Sequence, residues 1–244
     1  MRRVVPVLIG VAALLVAWAP AAGARPSRGA PAGFEKLVFI DYGVRAGAQP
    51  AADAMADDFH LLGGHSSWPA SSTVHYSVNT TGCATDCGNA TTAIDNAFGE
   101  WESFSGITFT RTTTGDTNPC GGTDSVSWTP IDGAGGTLAE TSVCRTRATH
   151  EIVGFQTVFD SGDSWSASGA SGHFDIQATA THEEGHSMGL DHVHAPRDAR
   201  LTMYPFIAEG DTGFRTLGCG ELLGVNALYG TNSVCIANVT VPLD

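Results

Sequence analysis

The 244-residue chain carries 25 acidic against 12 basic residues, a formal net charge of −13, and its 42% hydrophobic content suits a folded core and excludes a disordered chain. The acidic excess and a single lysine, Lys36, argue against a nucleic-acid partner, because phosphates demand clustered cations. At roughly 100–200 residues per domain, one main domain with an appendage is expected.

Arg2 and Arg3 precede an apolar run over residues 4–18, and Ala22, Gly23 and Ala24 supply the small residues of a cleavage site. This is the layout of a secretory leader. The run is shorter than the ~20 residues of a spanning helix, and Pro20 closes it. Residues 1–24 are therefore expected to be removed, leaving a secreted, extracellular protein without a membrane anchor. Residues 25–63 are rich in Ala, Gly and Pro with weak periodicity, and read as a linker or short pro-segment. Cys83, Cys87, Cys120, Cys144, Cys219 and Cys235 all follow the leader. An even number in an oxidising compartment points to disulfides. Local loop closure favours Cys83–Cys87, Cys120–Cys144 and Cys219–Cys235, although spacing alone does not choose the connectivity.

Val74, Tyr76 and Val78 alternate with polar residues, as in a half-buried strand. Ile94, Ala97, Phe98, Trp101 and Phe104 form an apolar stripe, so residues 89–104 are predicted to be an amphipathic helix stopped by Gly106. Residues 107–111, 125–128 and 151–160 read as strands, and Gly135-Gly136 leads into a further segment at 137–141. Asp175 is placed as the N-cap of a helix running toward Leu190, and a last helix covers residues 219–228. This order of elements predicts an α+β domain built on one principal sheet.

The chemistry concentrates in residues 181–192, THEEGHSMGLDH. Positions i and i+4 share a helix face, so His182 and His186 can reach one metal from a single rigid rod. Glu183 lies beside that face, near where a metal's water would sit. His-Glu-x-x-His on a helix is a zinc-hydrolase arrangement. Gly189 can adopt positive φ and break the helix, which lets the chain double back and deliver His192 as a third ligand. Asp191 and His194 compete for that third place. Three imidazoles leave a fourth position open. Met203, within LTMYP at 201–205, supplies a candidate Met-turn.

The extended string followed by the Met-turn resembles the metzincin clan of zinc peptidases, and HEEGHSMGLDH with LTMYP resembles its matrixin family. AIDNAFGEW, ITFTR, GTLAET, FDIQATATHE and LLGVNALYG are similar to other matrixin segments. The resemblance implies a catalytic domain over residues 64–230, followed by a tail at 231–244. It implies a twisted, mostly parallel sheet with an antiparallel edge strand, an active-site helix and a C-terminal helix. It also implies one catalytic zinc on His182, His186 and His192, with Glu183 as general base and then proton donor to the leaving amine. Met203 becomes a hydrophobic floor below the metal. Leu138 and Ala139 bind substrate through their backbones by strand addition, and Pro205, Phe206 and Ile207 wall the pocket for the residue after the cut. The implied activity is hydrolysis of peptide bonds in extracellular protein or peptide substrates by a monomer. The other reading is a non-catalytic, zinc-bound module that adheres to extracellular protein; the presence of Glu183 disfavours it.

Three departures stand out. No Pro-Arg-Cys-Gly-type cysteine lies in residues 25–67, so no such thiolate controls latency. No His-rich loop for a structural zinc is evident. Glu184 takes a position where matrixins carry an apolar residue. Calcium is a further candidate cofactor without an assigned site; Asp160 and Asp163 read either as calcium ligands or as a solvated turn.

Overall fold

A computed structural model of the chain describes residues 25–27, 30–44, 58–113, 118–121 and 124–232. The leader at 1–24 lies outside them, as does nearly all of the tail. The strands are β1 (Arg25–Ser27), β2 (Phe34–Val44), β3 (His60–Leu61), β4 (Thr73–Asn79), β5 (Thr85–Asp86), β6 (Thr108–Thr112), β7 (Asp124–Thr129), β8 (Thr137–Thr146), β9 (Ile152–Asp160), β10 (Trp165–Ser166), β11 (Phe174–Asp175), β12 (Leu190–Asp191) and β13 (Phe206–Ala208). The α-helices are α1 (Ala90–Ser105), α2 (Ile176–Ser187) and α3 (Cys219–Tyr229).

The main sheet runs β1-β2-β8-β9-β7-β4-β6, with β13 paired to β2. Strands β9, β7, β4 and β6 are mutually parallel, and β8 joins β9 antiparallel. This is the expected α+β architecture. Strand β8 is not outermost, however. Strand β2 pairs antiparallel along nearly its whole length, from Phe34↔Thr146 to Tyr42↔Thr137. Residues 34–44 escape a periodicity reading because both strand faces are apolar. Leu37 and Phe39 point inward, while Val38, Ile40 and Tyr42 occupy the alternate positions, so no polar–apolar alternation marks the strand.

Helix α1 buries Ile94, Ala97, Phe98 and Trp101 of the predicted stripe, adds Ala93, leaves Phe104 only partly buried, and ends at Gly106 with φ 72°. It is tied to α2 by the Trp101 indole, which donates to the Thr181 carbonyl at 2.8 Å. Asp175 caps α2 by accepting from the Ala178 amide at 2.8 Å. Arg215 clamps the same carboxylate from the far side, at 2.8 and 2.6 Å. Helix α2 is buried all round, as fits a rod held between sheet, α1 and the following loops. It stops at Ser187, three residues short of the expected Leu190, because residues 190–191 become β12 against β3.

Cys83–Cys87 and Cys120–Cys144 are disulfides, as local closure favoured. Cys219 is also disulfide-bonded; the expected partner, Cys235, lies outside the described residues.

Candidate metal centre

Two devices aim the helical histidines. The Nδ1 of His182 meets the Thr202 carbonyl, and the Nδ1 of His186 meets the Leu190 carbonyl at 3.0 Å. A carbonyl on Nδ1 fixes the proton there and leaves Nε2 as the free lone pair. Burial and the neighbouring His192 hold the His186 imidazole well below its ordinary pKa, in the neutral form a metal requires.

The helix break delivers the third ring. Gly189 has φ 98°, and a Cβ there would lie 2.0 Å from the Ser66 carbonyl oxygen, so only glycine fits both the turn and the space. Beyond it, the Val193 amide donates to the Met203 carbonyl at 3.0 Å, which brings the His192 loop and the Met-turn together. The Nε2 atoms of His186 and His192 stand 3.1 Å apart. Neither Asp191 nor His194 joins the cluster; the Asp191 carboxylate instead accepts from the His192 amide at 2.8 Å.

Met203 packs against α2. Gly185 faces it, and a Cβ at Gly185 would meet the Met203 sulfur at 2.2 Å and Trp101 at 2.9 Å. Glu221 on α3 holds the Met-turn, accepting from the Met203 amide at 3.0 Å and, through its other oxygen, from the Gly218 amide at 2.9 Å. Nothing in the sequence pattern singled out Gly185 or Glu221.

A fourth group was also missed. Asp41 of β2 places Oδ1 2.8 Å from His182 Nε2 and 2.7 Å from His192 Nε2, and Oδ2 3.8 Å from His186 Nε2. Burial opposes its charge, but the imidazoles of His182 and His192 prevail and hold its carboxyl well below the usual range. The sequence signal was an aspartate inside the apolar run LVFIDYGV.

Asp41, His182, His186 and His192 form the one buried cluster of three or more metal-type side chains among the described residues, their donor atoms all within 4.8 Å of one another. A tetrahedral zinc with arms of about 2.0–2.1 Å has donor–donor edges of about 3.3 Å. Three imidazoles and a carboxylate oxygen therefore fit zinc in both chemistry and spacing. The Glu183 carboxylate is fully buried beside Asp41 and Thr141. Burial, reinforced by the Asp41 carboxylate, pushes Glu183 well above its ordinary pKa. Glu184, on the far side of α2, is fully buried and pushed up by desolvation, with one oxygen accepting from Ser187 Oγ at 3.0 Å.

The residues expected to meet substrate line the same place. Leu138 and Ala139 lie on β8, with Ala139 opposite Asp41. Pro205 accepts from the Tyr42 amide at 3.2 Å, and Phe206 and Ile207 pair in parallel with Tyr42 and Gly43 of β2. Asp160 gives its carboxylate to the amides of Ile131, Asp132, Gly133 and Gly162, and Asp163 accepts from Gly135. Both anchor the loop before β8.

The matrixin family model matches residues 67–230. Over 155 residues the chain is 32% identical to human matrix metalloproteinase-20, covering 62% of this chain and 30% of that protein. It is 30% identical to horse interstitial collagenase, over 57% of this chain and 28% of the relative. It is 26% identical to matrix metalloproteinase-C of Caenorhabditis elegans, over 83% of this chain and 36% of the relative. The chain thus spans about a third of the length of these relatives.

Proposed function

The chain belongs to the matrixin family, and from that premise we propose that it is a secreted zinc endopeptidase that hydrolyses peptide bonds of extracellular proteins. The observation that carries this reading is the convergence of His182, His186 and His192 on one buried point, with the buried Glu183 carboxylate beside Asp41 of the same cluster. The three imidazoles would hold the zinc. When bound, zinc would supply Lewis acidity, lowering the pKa of water to about 7.

The protein's own groups do the rest. Thr202 and Leu190 keep the two helical rings aimed by holding their Nδ1 protons. A carboxylate oxygen of Glu183 takes a proton from the attacking water and returns it to the departing amine nitrogen. Burial and the neighbouring Asp41 carboxylate raise its basicity, which suits a group that must accept and then donate. The backbones of Leu138 and Ala139 bind an extended substrate as an added strand, and Pro205, Phe206 and Ile207 wall the pocket on the departing side.

The test compares wild type with Glu183→Ala after identical maturation. The variant is expected to keep its zinc while casein cleavage falls by about 10²–10⁴-fold, the worth of a positioned general base. Zinc-loaded Glu183→Ala that digests casein at the wild-type rate removes Glu183 from this role.

A further inference from the structure

Strand β2 occupies the place where an extended substrate must lie. It is antiparallel to β8 and parallel to β13, so it fills the groove between the two elements that would grip a peptide. Its amides use both walls: Tyr42 donates to Pro205, and Gly43 donates to Gly136 at 3.1 Å. With β2 seated, His182, Glu183, His186, Leu138 and Ala139 are 0% exposed and His192 is 2% exposed, so no peptide reaches them.

The strand also presents a metal donor. Leu37, Phe39 and Asp41 share its inward face. Phe39 stacks on His186 with ring centroids 4.1 Å apart and planes 11° from parallel. One step on, the β2–β8 register breaks between Asp41 and Tyr42. Such irregularities re-aim side chains, and here the carboxylate lies against all three imidazoles. A side chain, and not a peptide carbonyl, therefore meets the metal position. That explains how a strand can lie in a peptidase groove without being a substrate. The far end is fixed by Glu35, which ion-pairs with the buried Arg145. Gly43 allows the closest approach, since a Cβ there would sit 2.6 Å from the Phe174 ring. Strand β3 pairs with β12, so the chain from Asp58 onward belongs to the catalytic body.

We propose that β2 is a built-in inhibitory strand, with the Asp41 carboxylate as the fourth zinc ligand, and that the site opens only when this strand leaves. The inference rests on the zinc-peptidase reading and states how that site is regulated. Asp41 blocks two things at once: the coordination place that water needs, and the groove that substrate needs.

The experiment uses the full secreted chain carrying Glu183→Ala, so that self-cleavage does not remove the strand. Asp41→Ala is added in one protein, and the near-isosteric Asp41→Asn in a second, to guard against misfolding. Zinc is measured by atomic absorption, and affinity for a peptidyl hydroxamate by calorimetry. All three proteins are expected to hold zinc, and removal of the carboxylate is expected to tighten hydroxamate binding by at least about tenfold. Equal hydroxamate affinity in all three overturns the proposal and leaves the peptidase reading standing. Loss of zinc only with the Asp41 substitutions also overturns it, because Asp41 is then a structural ligand. Absence of zinc from the parent overturns the peptidase reading beneath it.

Discussion

The two walls of the metal centre are built in opposite ways. The back wall is α2, the Gly189 turn and the Met-turn, all within residues 176–204, packed against Ser66 and Glu221 from outside that span. The front wall is β2, whose Asp41 meets His192 across 151 residues of sequence. The back wall is rigid because close packing leaves no alternative: Gly185 against Met203, Gly189 against Ser66, Glu221 against the Met-turn backbone. The front wall is one strand laid along a groove. Close packing makes a site, and a removable strand makes a site that can be closed.

The largest effect is expected from the back wall. Gly189→Ala combines a strained positive φ with a Cβ 2.0 Å from the Ser66 oxygen. It should cost roughly 3 kcal/mol or more and displace His192. Thermal unfolding and zinc content check this; a variant with wild-type zinc affinity and melting temperature would show that the turn is not what delivers the third ring.

A pH effect of a few kcal/mol comes next. Burial pushes Asp124 up to about 7, against the lowering effect of the Phe155 amide that donates to it at 2.6 Å. The folded chain thus keeps a proton that the unfolded chain loses near pH 4, so stability falls as pH rises from about 4 to about 7. Asp124→Asn should flatten that fall. Denaturant melts at pH 5 and pH 8 measure it, and equal slopes in both proteins reject the assignment.

The smallest effect separates the walls. Glu35→Gln weakens the buried ion pair with Arg145 by about 1.5–3 kcal/mol. Amide hydrogen exchange should quicken in β2 and stay unchanged in α2. Equal quickening in both would mean that the walls are one cooperative unit.

The same contrast decides what the sequence reveals. Helix α1, the Asp175 cap, the ligand string and the Gly189 break were legible because each is a local pattern with a short-range physical cause. Strand β2 was not, because a strand apolar on both faces carries no period-two signal, and its partner β8 lies about a hundred residues away. Asp41 was hidden with it. An isolated aspartate in an apolar run is a cue that something must compensate its burial, but nothing local says what. Glu221 escaped for a similar reason: as the third residue of α3 it reads as a capping acid, and only the tertiary fold brings it under Met203.

X-ray absorption at the zinc edge of the full secreted chain tests the central claim most directly. The account predicts three imidazole nitrogens and one oxygen at about 2.0–2.1 Å. Fewer than three imidazoles, or a sulfur at about 2.3 Å, would contradict it.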